Sequence, residues 1–296
     1  LLGVVGLIVG MNIYQTNQND ELVSSSSTRM LTASVENLLQ AKAAEQAVRV
    51  QKTFGESLLV VTALADQVAD LRNMAAKRSL EAGVLREELN QSLKTAFERN
   101  PRVLGIWLAY EPNGLDGKDS EFVNDVTRRS NEVGRFASYW SRAAGSAENT
   151  IMTEEDMTKT TLNLSGTPYN SWYTCPRDSK RTCLLDPYAD TVGGKDMLMT
   201  SIAVPLLVNG KTIGVVGIDI SLDALQAAAL SSQRELFDGA GHMLIVSGSG
   251  VLAGYSTDAS QLGKNIVDTL GSDGKDVLQL LTGGTPKVLK QGQLIR

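Results

Sequence analysis

Between Tyr169 and Asp190 the chain gathers aromatic rings, two cysteines and three acids into one stretch, a combination suited to holding an organic cation. Trp172, Tyr173 and Tyr188 offer π faces, and Asp186 and Asp190 add negative charge. Cys175 and Cys183 are the only cysteines, and a bridge between them would close a short loop carrying Arg177, Lys180 and Arg181 outward. Such a pair points to an oxidising compartment. Large half-buried rings and an Asp-Pro-Tyr turn are also ordinary in any domain, so the stretch alone does not require a ligand.

The sequel favours a pocket. Residues 197–208 and 211–220 read as two strands joined by an Asn209-Gly210 hairpin turn. Asp219 interrupts the apolar run Val-Val-Gly-Ile-Asp-Ile. A carboxylate there must be hydrogen-bonded within the sheet or face a ligand, because an unpaired buried charge is too costly to keep. Upstream, residues 135–140 read as a strand ending in Tyr139 and Trp140. Both are candidates for the pocket, although alternation sends them to opposite faces.

The elements that must position these residues follow from periodicity. No proline occurs before Pro101, and Leu31, Val35, Leu38, Ala41, Ala44 and Val48, continued by Leu58, Val61, Ala65, Val68 and Leu71, recur at helical spacing. They predict one long helix or two in line, with Gly55 as the weak point. A second helix is expected over 79–99, then a strand over 103–110 and a polar loop to about Asn131. Glu154, Glu155 and Asp156 suggest a short helix whose acids form a solvated face. A helix is expected over 223–236, followed by strands at 242–246 and 251–255 and a helix near 275–281. That is the first module's order in shorter form.

Asp-Pro-Tyr-Ala-Asp (186–190), the strand to Pro205, Asn-Gly-Lys (209–211), Gly-Val-Val-Gly-Ile-Asp-Ile-Ser-Leu (214–222) and Gly-Arg-Phe-Ala-Ser-Tyr-Trp (134–140) resemble the double Cache sensor domain of bacterial methyl-accepting chemotaxis receptors, over residues 20–296. The resemblance implies an α+β fold: a long N-terminal helix and two PAS-like (Cache) modules, each an antiparallel sheet with flanking helices. Residues 14–75 would be a stalk and dimerisation helix, and 76–222 a membrane-distal ligand-binding module. Residues 223–296 would supply a linker helix and an incomplete membrane-proximal module. Amino-acid sensors of that family use residues that correspond here to Trp172, Tyr173, Tyr188, Asp190 and Asp219. Two positions depart from the pattern: Asn170 stands where those sensors clamp a ligand carboxylate with Arg, and Ser165 where they have Tyr. The amine half of the site is kept and the carboxylate half lost, which resembles the polyamine- and histamine-sensing branch. Asp186 is the expected partner for the far ammonium of a diamine. Amino acids or quaternary amines are the alternative ligands, and a histidine kinase or cyclic-dinucleotide enzyme the alternative output.

The apolar run 1–13 is expected to be the end of a transmembrane helix. With flanking spans, it would place this domain in the periplasm at the cytoplasmic (inner) membrane, as a homodimer through the N-terminal helix. The net charge of −5 gives no basic footprint for nucleic acid, and no metal or cofactor is expected. Enzyme readings find little support. The single His242 has no acid–base or metal constellation near it in sequence, Ser249 lacks the glycine two places before it that a nucleophile elbow needs, and no Gly-x-x-x-x-Gly-Lys-Ser/Thr phosphate-binding loop occurs. Asp186 and Asp190 as a glycosidase pair are the weakest of these alternatives.

Overall fold

A computed structural model describes residues 5–8, 21–142, 145–235, 241–283, 290–291 and 294–295. In chain order these begin with β1 (Val5–Ile8), α1 (Glu21–Arg78), α2 (Ala82–Arg99), β2 (Gly105–Tyr110), β3 (Ala137–Ser141) and β4 (Glu148–Ile151). Then come α3 (Glu154–Thr158), α4 (Ser171–Ser179), β5 (Cys183–Leu184), β6 (Tyr188–Val192), β7 (Lys195–Val208) and β8 (Lys211–Ser221). The last elements are α5 (Leu222–Arg234), β9 (His242–Val246), β10 (Leu252–Tyr255), α6 (Ile266–Leu270), α7 (Ser272–Gly283), β11 (Lys290–Gln291) and β12 (Leu294–Ile295). The architecture is α+β, a long N-terminal helix followed by antiparallel sheets with helices, as the sequence predicts. Two compact units emerge, residues 54–222 and residues 1–53 with 223–296.

α1 runs unbroken for 58 residues, so Gly55 does not divide it. One glycine costs only about 1 kcal/mol in a helix, and Val61, Leu64, Ala65 and Val68 just beyond it are buried. The helix ends where Ser79 takes a positive φ of 52°. The compact unit that bears the pocket comprises residues 54–222, so it takes in the second half of α1.

Residues 54–222 are built on an antiparallel sheet in the order β4-β3-β2-β8-β7-β5, with β6 also paired to β7. The β7–β8 hairpin turns at Asn209 and Gly210, both at positive φ (50° and 73°), as a tight two-residue turn requires. Strand alternation divides the sheet between two cores. Ile106, Leu108, Ile202, Val216 and Ile218 face α1 and α2, where Leu85, Leu89, Leu93 and Phe97 recur every fourth residue on one helix face. The other face carries Trp107, Ala109, Ala137, Ala203 and Val215 beneath Trp172, Tyr173 and Met157. Small residues predominate there, so the sheet surface lies open to large rings.

The polar loop between β2 and β3 is pinned rather than loose. Arg86 of α2 is fully buried; its guanidinium donates to Asp116 (3.0 and 3.2 Å), Asp119 (3.1 Å), Ser130 Oγ (2.7 Å) and the Gly134 carbonyl (2.9 Å). The ring of Phe122 lies 4.2 Å from the same guanidinium.

In the other unit, β1, β9 and β10 form a three-stranded sheet, and Leu244, Val246, Leu252, Ile266 and Val277 make its core. Gln226 of α5 bonds both ways with the Tyr255 backbone, at 2.7 and 2.8 Å. Val5–Ile8, expected as part of a transmembrane helix, is a strand paired antiparallel with β9. A short apolar run can satisfy its backbone at an open strand edge as well as in a helix. Residues 1–4 and 9–13 of that segment lie outside the described residues. Among the described residues no helix is long and apolar enough to cross a membrane.

Removing Arg86 strands two buried carboxylates. Arg86→Met is expected to destabilise the protein by about 3–5 kcal/mol, measured by chemical denaturation, whereas Arg102→Met, at an exposed ion pair with Glu56, should change it by less than about 1 kcal/mol.

Candidate functional site

The ring-lined face of the sheet in residues 54–222 bounds a cavity of about 300 Å³, within the range of small-molecule sites. β8 supplies Asp219, β3 Tyr139, β2 Trp107, α4 Trp172, and β6 both Tyr188 and Asp190. Tyr188 and Asp190 share the cavity because residues two apart on a strand point the same way. Asp156 of α3, Tyr169, Thr150 and the Gly193-Gly194 turn complete the wall.

Two glycines make this crowding possible. A Cβ at Gly217 would lie 2.0 Å from the Trp107 ring, and one at Gly105 would lie 2.4 Å from the Tyr139 ring. The rings lie where side chains would otherwise stand. Trp107 then meets Trp172 edge to face, centroids 4.9 Å apart at 80°.

Asp219 is 2% exposed. Its Oδ1 accepts from Trp107 Nε1 (3.0 Å) and Ser201 Oγ (2.6 Å), and Tyr188 OH lies 2.7 Å from the same Ser201 oxygen. With the Ser201 proton given to the carboxylate, Tyr188 must be the donor to Ser201, so the relay runs Tyr188 to Ser201 to Asp219. The buried Tyr139 hydroxyl faces the same carboxylate without a hydrogen bond of normal geometry, and burial first, then the Asp219 charge, raise its pKa well above the usual range. Burial holds the Asp219 carboxyl above its ordinary range, against the lowering effect of its donors. Asp190 is likewise raised, by burial first, while Tyr169 OH (2.6 Å) and the Thr191 N–H (2.8 Å) donate to its Oδ1.

Five of the expected site residues are thus brought together: Tyr139, Trp172, Tyr188, Asp190 and Asp219. Three are not. Trp140 points to the helix side of the sheet, donating to Asn90 Oδ1 (2.9 Å) and lying 6.3 Å from Phe97, because it alternates with Tyr139. Tyr173 follows Trp172 on α4 and is turned about 100° from it, so its hydroxyl joins Arg135 and Glu111 instead. Asp186 precedes β6, outside the alternation that aims Tyr188 and Asp190, and does not line the cavity.

Trp107 and Tyr169 line the cavity without having been singled out from sequence, and Asp156, expected on a solvated acidic face, lines it as well. Thr153-x-x-Asp156 is a capping box, with Asp156 Oδ2 accepting from the Thr153 N–H and Oγ1 at 2.8 Å each, and that pattern marks Asp156 as the first turn of a helix. Nothing local could have marked Trp107, whose place depends on a glycine more than a hundred residues away. At the two departures from the amino-acid-sensor pattern, buried Asn170 donates to the Met157 carbonyl (3.0 Å) and Ser165 Oγ to Asn163 (2.7 Å).

Cys175 and Cys183 form the expected disulfide, with Cα atoms 6.2 Å apart, tying α4 to β5. His242 Nδ1 pairs with Thr257 Oγ1 at 2.9 Å. Among the described residues no group of three or more His, Cys, Asp or Glu could hold a metal ion.

An uncompensated buried carboxylate leaves a signature in stability. The unfolded chain ionises Asp219 at its ordinary value, while the folded state keeps the proton to higher pH. Ligand-free stability therefore falls as pH rises through the window between the two and stays lower above it. Asp219→Asn retains an acceptor for Ser201 and Trp107. It should raise the Tm of the ligand-free protein at pH 7 by a few degrees and flatten this dependence, since about 1 kcal/mol moves the Tm of a domain this size by about 2–4 °C. Differential scanning calorimetry across pH checks it.

Comparison with known proteins accords with this geometry. Residues 89–227 match the family described as methyl-accepting chemotaxis protein-like, first PDC sensor domain. The chain is 44% identical over 292 residues to methyl-accepting chemotaxis protein TlpQ of Pseudomonas aeruginosa, covering 98% of this chain and 41% of that protein. Among solved structures, methyl-accepting chemotaxis protein X superposes with a TM-score of 0.67 at 27% identity, over 88% of each chain. The periplasmic sensory domain of the Campylobacter jejuni chemoreceptor Tlp1 shares the fold (TM-score 0.65, 16% identity, covering 87% of this chain and 85% of that one). Over residues 89–227 the chain therefore carries a PDC (Cache) sensor domain of the kind found in methyl-accepting chemotaxis proteins.

Proposed function

We propose that this cavity is the ligand site of a transmembrane chemoreceptor's periplasmic sensor domain, and that its ligand is a small cationic amine of the putrescine or histamine type. One observation carries the reading. The cavity is lined by three carboxylates, Asp156, Asp190 and Asp219, and five aromatic rings, with no Lys, Arg or His among its lining residues. An α-amino acid would bring its own carboxylate into that field without a partner, and like-charge contact in a desolvated site is strongly unfavourable. A protonated amine instead relieves the two carboxylates that burial penalises.

One ammonium sits between Asp219 and Asp190, where each charge-assisted hydrogen bond contributes about 1.5–3 kcal/mol. The carbon chain lies against Trp172, Trp107 and Tyr188, and Asp156 takes the second cationic group in place of Asp186. The identity to TlpQ over nearly the whole chain supports a chemotactic output. Because this chain spans 41% of that relative's length, signalling, membrane anchoring and partners remain part of the proposal. Closure on the ligand would favour one of two settings of α1, whose displacement carries the signal.

Isothermal titration calorimetry is expected to show putrescine or histamine binding in preference to neutral α-amino acids. Asp219→Asn and Asp190→Asn should each weaken that binding by about 10- to 100-fold. Tighter binding of a neutral α-amino acid than of any amine would reject the assignment.

α1 supplies the proposed dimer contact. Leu31, Leu38 and Val48 are 67%, 43% and 61% exposed and fall on one 3.5-residue seam with Ser34 and Ala41, the pattern of a helix that pairs with its own copy. Leu38→Glu is expected to shift the sedimentation velocity of the protein from dimer to monomer, while dimerisation unaffected by it would remove α1 from the interface.

A further inference from the structure

Beyond the inner cavity lies a second of about 510 Å³, and the two share Tyr169, Asp190 and Thr191 as common walls. Tyr169 is the large side chain between them. Its hydroxyl reaches across to Asp190 Oδ1 at 2.6 Å, and Lys159 Nζ lies 4.5 Å from the ring centroid. Lys159 lines the outer cavity only and Asp156 the inner only, so the two compartments differ in charge.

The partition stands on a braced turn. The Tyr169 N–H donates to the Thr161 carbonyl (2.8 Å), and Leu162 bridges Pro168. Asn163 Oδ1 gathers the amide and hydroxyl groups of Ser165 and Thr167 at 2.7–3.2 Å. The ring is thus held from behind by its own loop and in front by a carboxylate.

We infer that Tyr169 sets the length of ligand this site accepts: its ring ends the inner cavity, and the Lys159 ammonium beyond it disfavours any further cationic group. This rests on the amine reading of the inner site and adds the basis of selection within that class. A short diammonium compound fits between Asp219 and Asp156, whereas a longer polyamine must displace the ring from Asp190 and bring a cation beside Lys159. Removing the ring would join the two cavities and let the longer chain reach Asp196, which lines the outer one.

The test compares 1,4-diaminobutane with the linear tetraamine spermine by calorimetry on the same protein. Wild type is expected to prefer the diamine by about tenfold or more, and Tyr169→Ala to lower that ratio by about tenfold or invert it. Tyr169→Phe keeps the wall and loses only the hydrogen bond to Asp190, so both affinities should shift together with the wild-type ratio retained. Adding Lys159→Ala to Tyr169→Ala should strengthen spermine binding further, through removal of the facing ammonium. An unchanged ratio in Tyr169→Ala with the diamine still bound, or a changed ratio in Tyr169→Phe, overturns the assignment. Failure of wild type to bind either amine removes the reading of the inner site itself, a result distinct from an unchanged ratio.

Discussion

Everything in the pocket depends on one carboxylate being kept inside a β-sheet without a cation. Asp219 has Ile218 and Ile220 committed to the helix-side core on either side of it, so its own side chain can only face the cavity. Two neutral donors hold one oxygen in place, and neither Ser201 nor Trp107 can cancel a charge. A full counter-ion would have made the residue a structural ion pair. No cationic side chain lines the cavity, so the residue presents to it a carboxyl group whose charged form burial disfavours.

The stability that tolerates such a centre comes from the opposite face of the same sheet. There the last turns of α1 and the four-residue repeat of α2 bury large aliphatic side chains against β2, β7 and β8, and each fully buried Leu contributes about 1.5–3 kcal/mol. The pocket face is built the other way, from Ala109, Ala137, Ala203 and two glycines that give their volume to rings arriving from elsewhere. One sheet thus has an anchoring side and a receiving side, separated only by the alternation of its strands.

A second group of polar contacts holds the wall rather than the ligand. Arg135 is buried between the Tyr110 carbonyl, Glu154 and the Tyr173 hydroxyl, while Arg177 also approaches the Tyr173 ring. The network joins α3, which bears Asp156, to α4, which bears Trp172, and the disulfide secures α4 to β5. The Trp-Tyr pair is therefore divided by function. One ring meets the cavity, and the next fastens the helix that presents it.

Local patterning determined a good deal on its own. The long helix, the second helix, the hairpin at Asn209-Gly210 and the acid inside β8 were all legible, because each depends on side-chain period or turn chemistry within a few residues. The concentration of aromatic and acidic residues between Tyr169 and Asp190 was legible as well. What the tertiary structure alone decided was aim. Trp140 and Tyr173 have the right chemistry and the wrong direction. Trp107, Tyr169 and Asp156 enter the site through strand register, a braced turn and a short capped helix that bring distant segments together. Composition says which groups a chain owns. Which of them share a cavity is set by long-range pairing, where a shift of one residue turns every side chain to the other face.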